Sequence, residues 1–182
     1  MAQSFSEPTT GDIRQLTDEL YRAWYPVDDV VMGGRSSSAL QWYDRIAVFT
    51  GTVSLEQGGG FASVRTAEYA PPLDLSAGTG VALRLRGDGR RYKLVLRSGD
   101  FDTGVAYSAP FDTAAGQWLI VPLPFARFVP AFRGRTLADA PPLDPTRICA
   151  LQLMISKVEF DGQPNRHFLP GPFRLEIDTA LA

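Results

Sequence analysis

From Val30 to the end of the 182-residue chain, short apolar or alternating runs are cut by glycine, proline and aspartate. Such punctuation predicts strands rather than helices. Ser38 to Trp42, Ile46 to Leu55 and Phe61 to Arg65 read as strands, and in the second of them Phe49, Gly51, Val53 and Leu55 share one face. Val81–Arg86 and Tyr92–Arg97 both alternate, and the Asp88-Gly89 pair between them predicts a hairpin. Val105 to Phe111, Trp118 to Pro122, the apolar run Ile148 to Ile155 and the alternating run Phe173 to Leu181 complete the set. Before Val30 the period changes. Ile13, Leu16, Leu20, Ala23 and Trp24 recur near 3.6 residues, Thr10 or Asp12 can cap the segment and Pro26 ends it, so a helix is predicted over Asp12 to Trp24. Residues 124–146 are proline-rich and irregular, with Phe125, Phe128, Phe132 and Leu137 as anchors; a loop of that length is often functional.

About nine or ten strands with no βα alternation define an all-β chain. The fold expected is an antiparallel jelly-roll β-sandwich with one N-terminal helix, divided into a tail and helix over 1–23 and a single sandwich domain over 24–182. Eighteen basic and twenty acidic residues give a net charge of −2, which argues against a nucleic-acid binder working by phosphate neutralisation. One cysteine excludes an intrachain disulfide. No stretch is apolar enough to span a bilayer, and the first residues lack the basic and apolar regions of a signal peptide. A cytoplasmic protein, at most peripheral at a membrane, is expected.

The catalytic inventory is thin. His167 is the only histidine and Cys149 the only cysteine, so sites built from several imidazoles or thiolates are excluded. Cys149 lies in an apolar run, where the residue packs as a small hydrophobe. Met32-Gly33-Gly34-Arg35 and Gly58-Gly59-Gly60-Phe61 lack the spacing of phosphate or dinucleotide loops. Their glycines read as backbone geometry that brings chains close. Asp28, Asp29, Glu56 and Asp88 supply oxygen for a calcium site, but neighbouring acids in a strand point to opposite faces, and pairing with Arg35, Arg65 or Arg86 is the simpler account. No cofactor and no metal are expected. Exposed aromatic rings would offer sugars a stacking platform, while in alternating strands most rings are core.

The order of motifs is more telling than any one of them. Trp24-Tyr-Pro-Val-Asp-Asp-Val-Val-Met-Gly-Gly-Arg-Ser-Ser-Ser38 precedes Ala47-Val-Phe-Thr-Gly-Thr-Val-Ser-Leu55 and Gly58-Gly-Gly-Phe-Ala-Ser-Val-Arg65. Arg86-Gly-Asp-Gly-Arg-Arg-Tyr92, Trp118-Leu-Ile-Val-Pro-Leu-Pro-Phe125, Phe132-Arg-Gly-Arg135 and Leu153-Met-Ile-Ser-Lys157 follow. From about Trp24 to the C-terminus the series resembles the complex I intermediate-associated protein 30 domain family. The resemblance implies a galactose-binding-like sandwich and a non-enzymatic, chaperone-like role in assembling a membrane electron-transfer complex, respiratory or photosynthetic. Its implied partners are protein subunits of such a complex or of its assembly intermediates, and a stand-alone bacterial or cyanobacterial member is expected. The family supplies no catalytic residues.

Asp28, Asp29, Arg35, Ser36, Phe61, Arg65, Arg86, Asp88, Tyr92, Phe132 and Arg133 are the candidate partner- or ligand-binding residues. Asp29, Arg35, Arg65, Arg86 and Asp88 are expected to form one charged network at a sandwich surface, with Phe61 and Tyr92 beside it. A carbohydrate-binding module is the alternative the implied fold offers, since fold alone does not decide function. A hydrolase using carboxylates alone, Asp29 among them, ranks last.

Overall fold

The structure, a computed structural model, describes residues 13–15, 23–99 and 104–178. Thirteen strands appear among the described residues, in chain order: β1 (Ile13–Gln15), β2 (Trp24–Pro26), β3 (Ser37–Tyr43), β4 (Ile46–Val53), β5 (Phe61–Thr66), β6 (Gly80–Arg86) and β7 (Arg91–Ser98). Then come β8 (Ala106–Asp112), β9 (Trp118–Pro124), β10 (Val129–Phe132), β11 (Arg135–Thr136), β12 (Ile148–Ser156) and β13 (Gly171–Asp178). They form two sheets. The first runs β1-β6-β13-β4-β3, with β9 on the other side of β6; the second runs β11-β10-β8-β7-β12-β5-β2. Every pairing is antiparallel except β1 with β6.

Alternation explains why two layers form. In β6, Val81, Leu83 and Leu85 are buried while Ala82, Arg84 and Arg86 face outward. They share one core with Phe49 of β4, Leu175 and Ile177 of β13, and with Leu94, Leu96, Leu151, Leu153 and Ile155 from the second sheet. Phe49, Tyr92 and Phe173 meet at its centre, with ring centroids 4.8 to 6.4 Å apart. The all-β sandwich expected from the sequence is therefore present.

Four expectations need correction. Residues 13–15 are strand, paired with Gly80–Ala82, and Trp24–Pro26 are strand, paired with Val64–Thr66, so both ends of the predicted helix are extended; residues 16–22 lie outside the described set. The helical period rests on few apolar residues, and backbone pairing to β6 and β5 outweighs it at the two ends. Asp88-Gly89 is no hairpin, because β6 belongs to the first sheet and β7 to the second. The turn is the corner where the chain changes layer. Finally, the stretch 124–146 holds the short hairpin β10–β11, and β4 stops at Val53, leaving Leu55 half-exposed. No helix among the described residues is long and apolar enough to cross a membrane.

Candidate functional site

The segment between β2 and β3 is built around a buried carboxylate. Asp29 opens a one-turn 3-10 helix, Asp29–Met32, and has no exposed surface. Its Oδ1 accepts the Ser36 amide at 2.9 Å. Its Oδ2 accepts the Ser36 hydroxyl at 2.6 Å, the Gly60 amide at 2.7 Å and the Phe61 amide at 3.3 Å. Burial pushes this carboxyl up, but the Ser36 hydroxyl and the three amides outweigh it and hold the group below the ordinary carboxylate range. Backbone must come very close for this to work. A Cβ at Gly34 would fall on the Asp29 carboxylate, and one at Gly59 would lie 2.5 Å from Oδ2. Both glycine motifs thus serve the same acid.

Asp28 faces inward too, because the chain turns into the 3-10 helix directly after it and does not continue as a strand. Its Oδ1 accepts Ser38 Oγ at 2.6 Å and the Ser63 amide at 2.9 Å. Ser36 Oγ also accepts the Ser54 amide at 2.9 Å. Lys157, after β12, donates to the carbonyls of Gly58 at 3.2 Å and Gly59 at 2.5 Å. The turn is therefore tied to β3, to β5 and to both segments flanking them. What it presents is apolar: Val30, Val31 and Met32 are 60%, 77% and 67% exposed. An isolated exposed apolar residue is ordinary, but three in a row on a fixed turn are not.

The other candidate residues do not join this site. Arg35 pairs with Glu56 at 3.3 Å on the surface. Arg65 lies over the Tyr25 ring and donates to its hydroxyl at 3.1 Å. Arg86 pairs with Glu176 at 2.5 Å on the outer face of the first sheet and stacks on Trp118. Asp88 organises the layer-changing corner: it accepts the Tyr92 hydroxyl at 2.9 Å, Arg90 Nη1 at 2.5 Å and the Arg174 amide at 3.2 Å. The single charged network expected from the sequence is thus several separate clusters, and none of the three named arginines touches Asp28 or Asp29. Serine hydroxyls and backbone amides, which carry no charge signal, do that work instead. Phe61 enters only through its amide, and Phe132 and Arg133 sit on the β10–β11 turn.

Catalysis finds little purchase here. Asp29 has no surface and four donors on its oxygens, so it cannot reach a substrate. Cys149 is buried at the start of β12, where burial pushes its thiol up. His167 Nδ1 lies 3.0 Å from Asp112, beside Arg91 at the start of β7. Since β12 and β7 are antiparallel, the two residues sit at opposite ends of the sheet. No group of three histidine, cysteine or acidic residues placed to hold a metal occurs among the described residues.

The fold class is all-β, a sandwich of two sheets. The family profile of Complex I intermediate-associated protein 30 (CIA30) matches residues 12–177, nearly the whole chain, and the chain belongs to that family. No curated protein matches it in sequence. Among solved structures it is similar to one titled "Structure of PfGH50B", with TM-score 0.54 and 10% identity over 90% of this chain. It is also similar to an agarase, AgWH50C, with TM-score 0.51 and 12% identity over 88% of this chain. The chain spans only 22% and 25% of those two proteins, and at such identities the likeness shows the fold alone.

Proposed function

We propose that this chain is a non-enzymatic assembly factor for a membrane electron-transfer complex, and that it holds a client subunit through the Val30–Met32 tip. The observation that carries the assembly role is membership of the CIA30 family over residues 12–177. The tip is favoured as the contact because its three apolar side chains are exposed while the turn beneath them is fixed by Asp28 and Asp29. A preorganised element loses little conformational entropy when it docks, so a small apolar surface is used efficiently. Arg35 and Glu56 beside it make a paired, polar rim, the usual surround of an apolar contact.

The test is affinity purification from the cells that make the protein, in mild detergent, comparing wild type with Val31→Asp. Wild type should enrich NADH-dehydrogenase-like or photosynthetic complex subunits. Val31 is 77% exposed, so the variant should melt as wild type does while losing those subunits. Recovery of wild type alone, or with soluble proteins only, would count against the assembly role. Retention of the same subunits by Val31→Asp would move the contact off the tip.

A further inference from the structure

On the outer face of the second sheet, a crevice of about 530 Å³ opens between the β10–β11 turn and the loop that follows β12. Arg133, Gly134 and Arg135 form one wall; Val158, Asp161 and Gly162 form the other. The far wall is fixed. Lys93 is buried in β7 and donates to the carbonyls of Val158 at 2.8 Å and Glu159 at 2.7 Å, with its ammonium 5.0 Å from the centre of the Phe160 ring. The Asp161 amide donates to the Gly134 carbonyl at 2.8 Å, and the Asp161 carboxylate is taken up by the Thr136 amide and hydroxyl, both at 2.8 Å.

The near wall holds the unexpected chemistry. Arg84, Arg86, Arg90, Arg91 and Arg174 are each paired with an acid. Arg133 and Arg135 are exposed, and neither forms an ion pair among the described residues. Arg133 also occupies a backbone position that arginine does not favour. Phe132 and Arg135 pair across a two-residue turn, and both turn residues have positive φ, 49° at Arg133 and 79° at Gly134. Turns of this kind favour Asn-Gly. Placing a long cation there sacrifices local preference, and such outliers concentrate at functional sites. Beside it the Phe132 ring is 42% exposed, with the Arg133 guanidinium 5.2 Å from its centre.

We infer that this crevice is a second binding site, for an acidic, extended segment of a protein partner, whose carboxylates the Arg133 and Arg135 guanidiniums receive and whose neighbouring apolar side chain covers Phe132. Guanidinium forks suit carboxylates in bidentate geometry. The Asp161 carboxylate in the far wall leaves a modest local positive charge, which suits singly charged carboxylates better than doubly charged phosphates. Lys157, which braces the carbonyls around Asp29, immediately precedes Val158 in the crevice wall. The inference rests on the chain being a binding protein, and not on which client it holds.

The experiment is titration of the whole chain at low salt with a hexaglutamate peptide, with hexalysine, with inorganic phosphate and with phosphatidylglycerol vesicles. Hexaglutamate should bind saturably and hexalysine should not. Arg133→Glu with Arg135→Glu should weaken the peptide by about tenfold or more, and salt should weaken wild-type binding. Arg133→Asn is the discriminating variant. It restores the favoured turn residue, so it should melt at or above the wild-type temperature while still losing affinity; a purely structural arginine would not behave so. Absence of hexaglutamate binding, or equal binding by all variants, overturns the inference. So does tighter binding of phosphate or vesicles through the same two arginines, which would reassign the crevice to phosphates or to lipid. None of these results bears on whether Val31→Asp loses the client, so the two readings fail separately.

Discussion

Asp29 shows how a residue can dominate a site without facing solvent. Removing its side chain would leave the Ser36, Gly60 and Phe61 amides and the Ser36 hydroxyl facing a void. Each buried donor left unpaired costs about 1–3 kcal/mol. Asp29→Ala should therefore destabilise by roughly 3–5 kcal/mol, a large share of the stability of an ordinary domain. Asp29→Asn keeps the volume, but its amide nitrogen meets donors, so it should cost about half as much. Chemical denaturation of both variants measures this; a loss under about 1 kcal/mol for Asp29→Ala would show that water replaces the carboxylate. Gly34→Ala should mimic Asp29→Ala, because the added methyl would occupy the place of the carboxylate. These residues were half-legible in the sequence. The crowding of acids, glycines and serines between Asp28 and Ser38 marked the site, and glycine's role in close approach was readable. Which atoms meet was not, since an amide donor is the same at every residue and leaves no trace in composition.

At the scale of elements, strands that bury one face were legible and their connections were not. Val81, Leu83 and Leu85 point inward as their alternation requires, whereas Asp88-Gly89 joins two layers where a hairpin was expected. Alternation specifies a face but not a sheet, and the corner is decided by long-range pairing of β6 with β9 and β13. The corner is held by Asp88, while Arg86 next to it belongs to a partly exposed ladder with Glu176, Arg174 and Trp118. The two should respond differently to truncation. Asp88→Ala leaves the buried Tyr92 hydroxyl and the Arg174 amide without their acceptor and should cost about 2–3 kcal/mol. Arg86→Ala removes a screened pair and should cost about 1 kcal/mol or less. Thermal melts rank them directly, and an Arg86 variant that unfolds would reverse the ranking. The hairpin β10–β11 was missed because prolines and a two-residue strand carry almost no periodic signal; Arg133 was singled out from its motif, not from any pattern that predicts a turn.

Across the whole molecule, the two sheets close over one core and acids fasten the margins: Asp29 under the tip, Asp112 with Arg91 and His167, and Glu176 between Arg86 and Arg174. The three share a titration sign. In each, burial raises the carboxyl, and hydrogen bonds from serine, amide, guanidinium or imidazole partners more than reverse it, leaving the group below its ordinary value of 3.8 for the aspartates and 4.5 for Glu176. A carboxyl that is more acidic folded than unfolded contributes stability that is complete above its unfolded pKa and is lost as pH falls through the folded one. Above about pH 5 these groups should therefore leave the denaturation midpoint flat, and below about pH 4.5 they should lower it progressively. Asp29→Asn separates the tip's share from the rest. Having no carboxyl to protonate there, it should start less stable at neutral pH and lose less on acidification, so the two curves converge below about pH 4. Parallel curves would mean that Asp29 titrates alike in the folded and unfolded chain, and that the hydrogen bonds around it fix geometry without stabilising its charge. Convergence would show instead that the charge itself braces the turn, so that the apolar tip loosens from its mount as the carboxylate is neutralised.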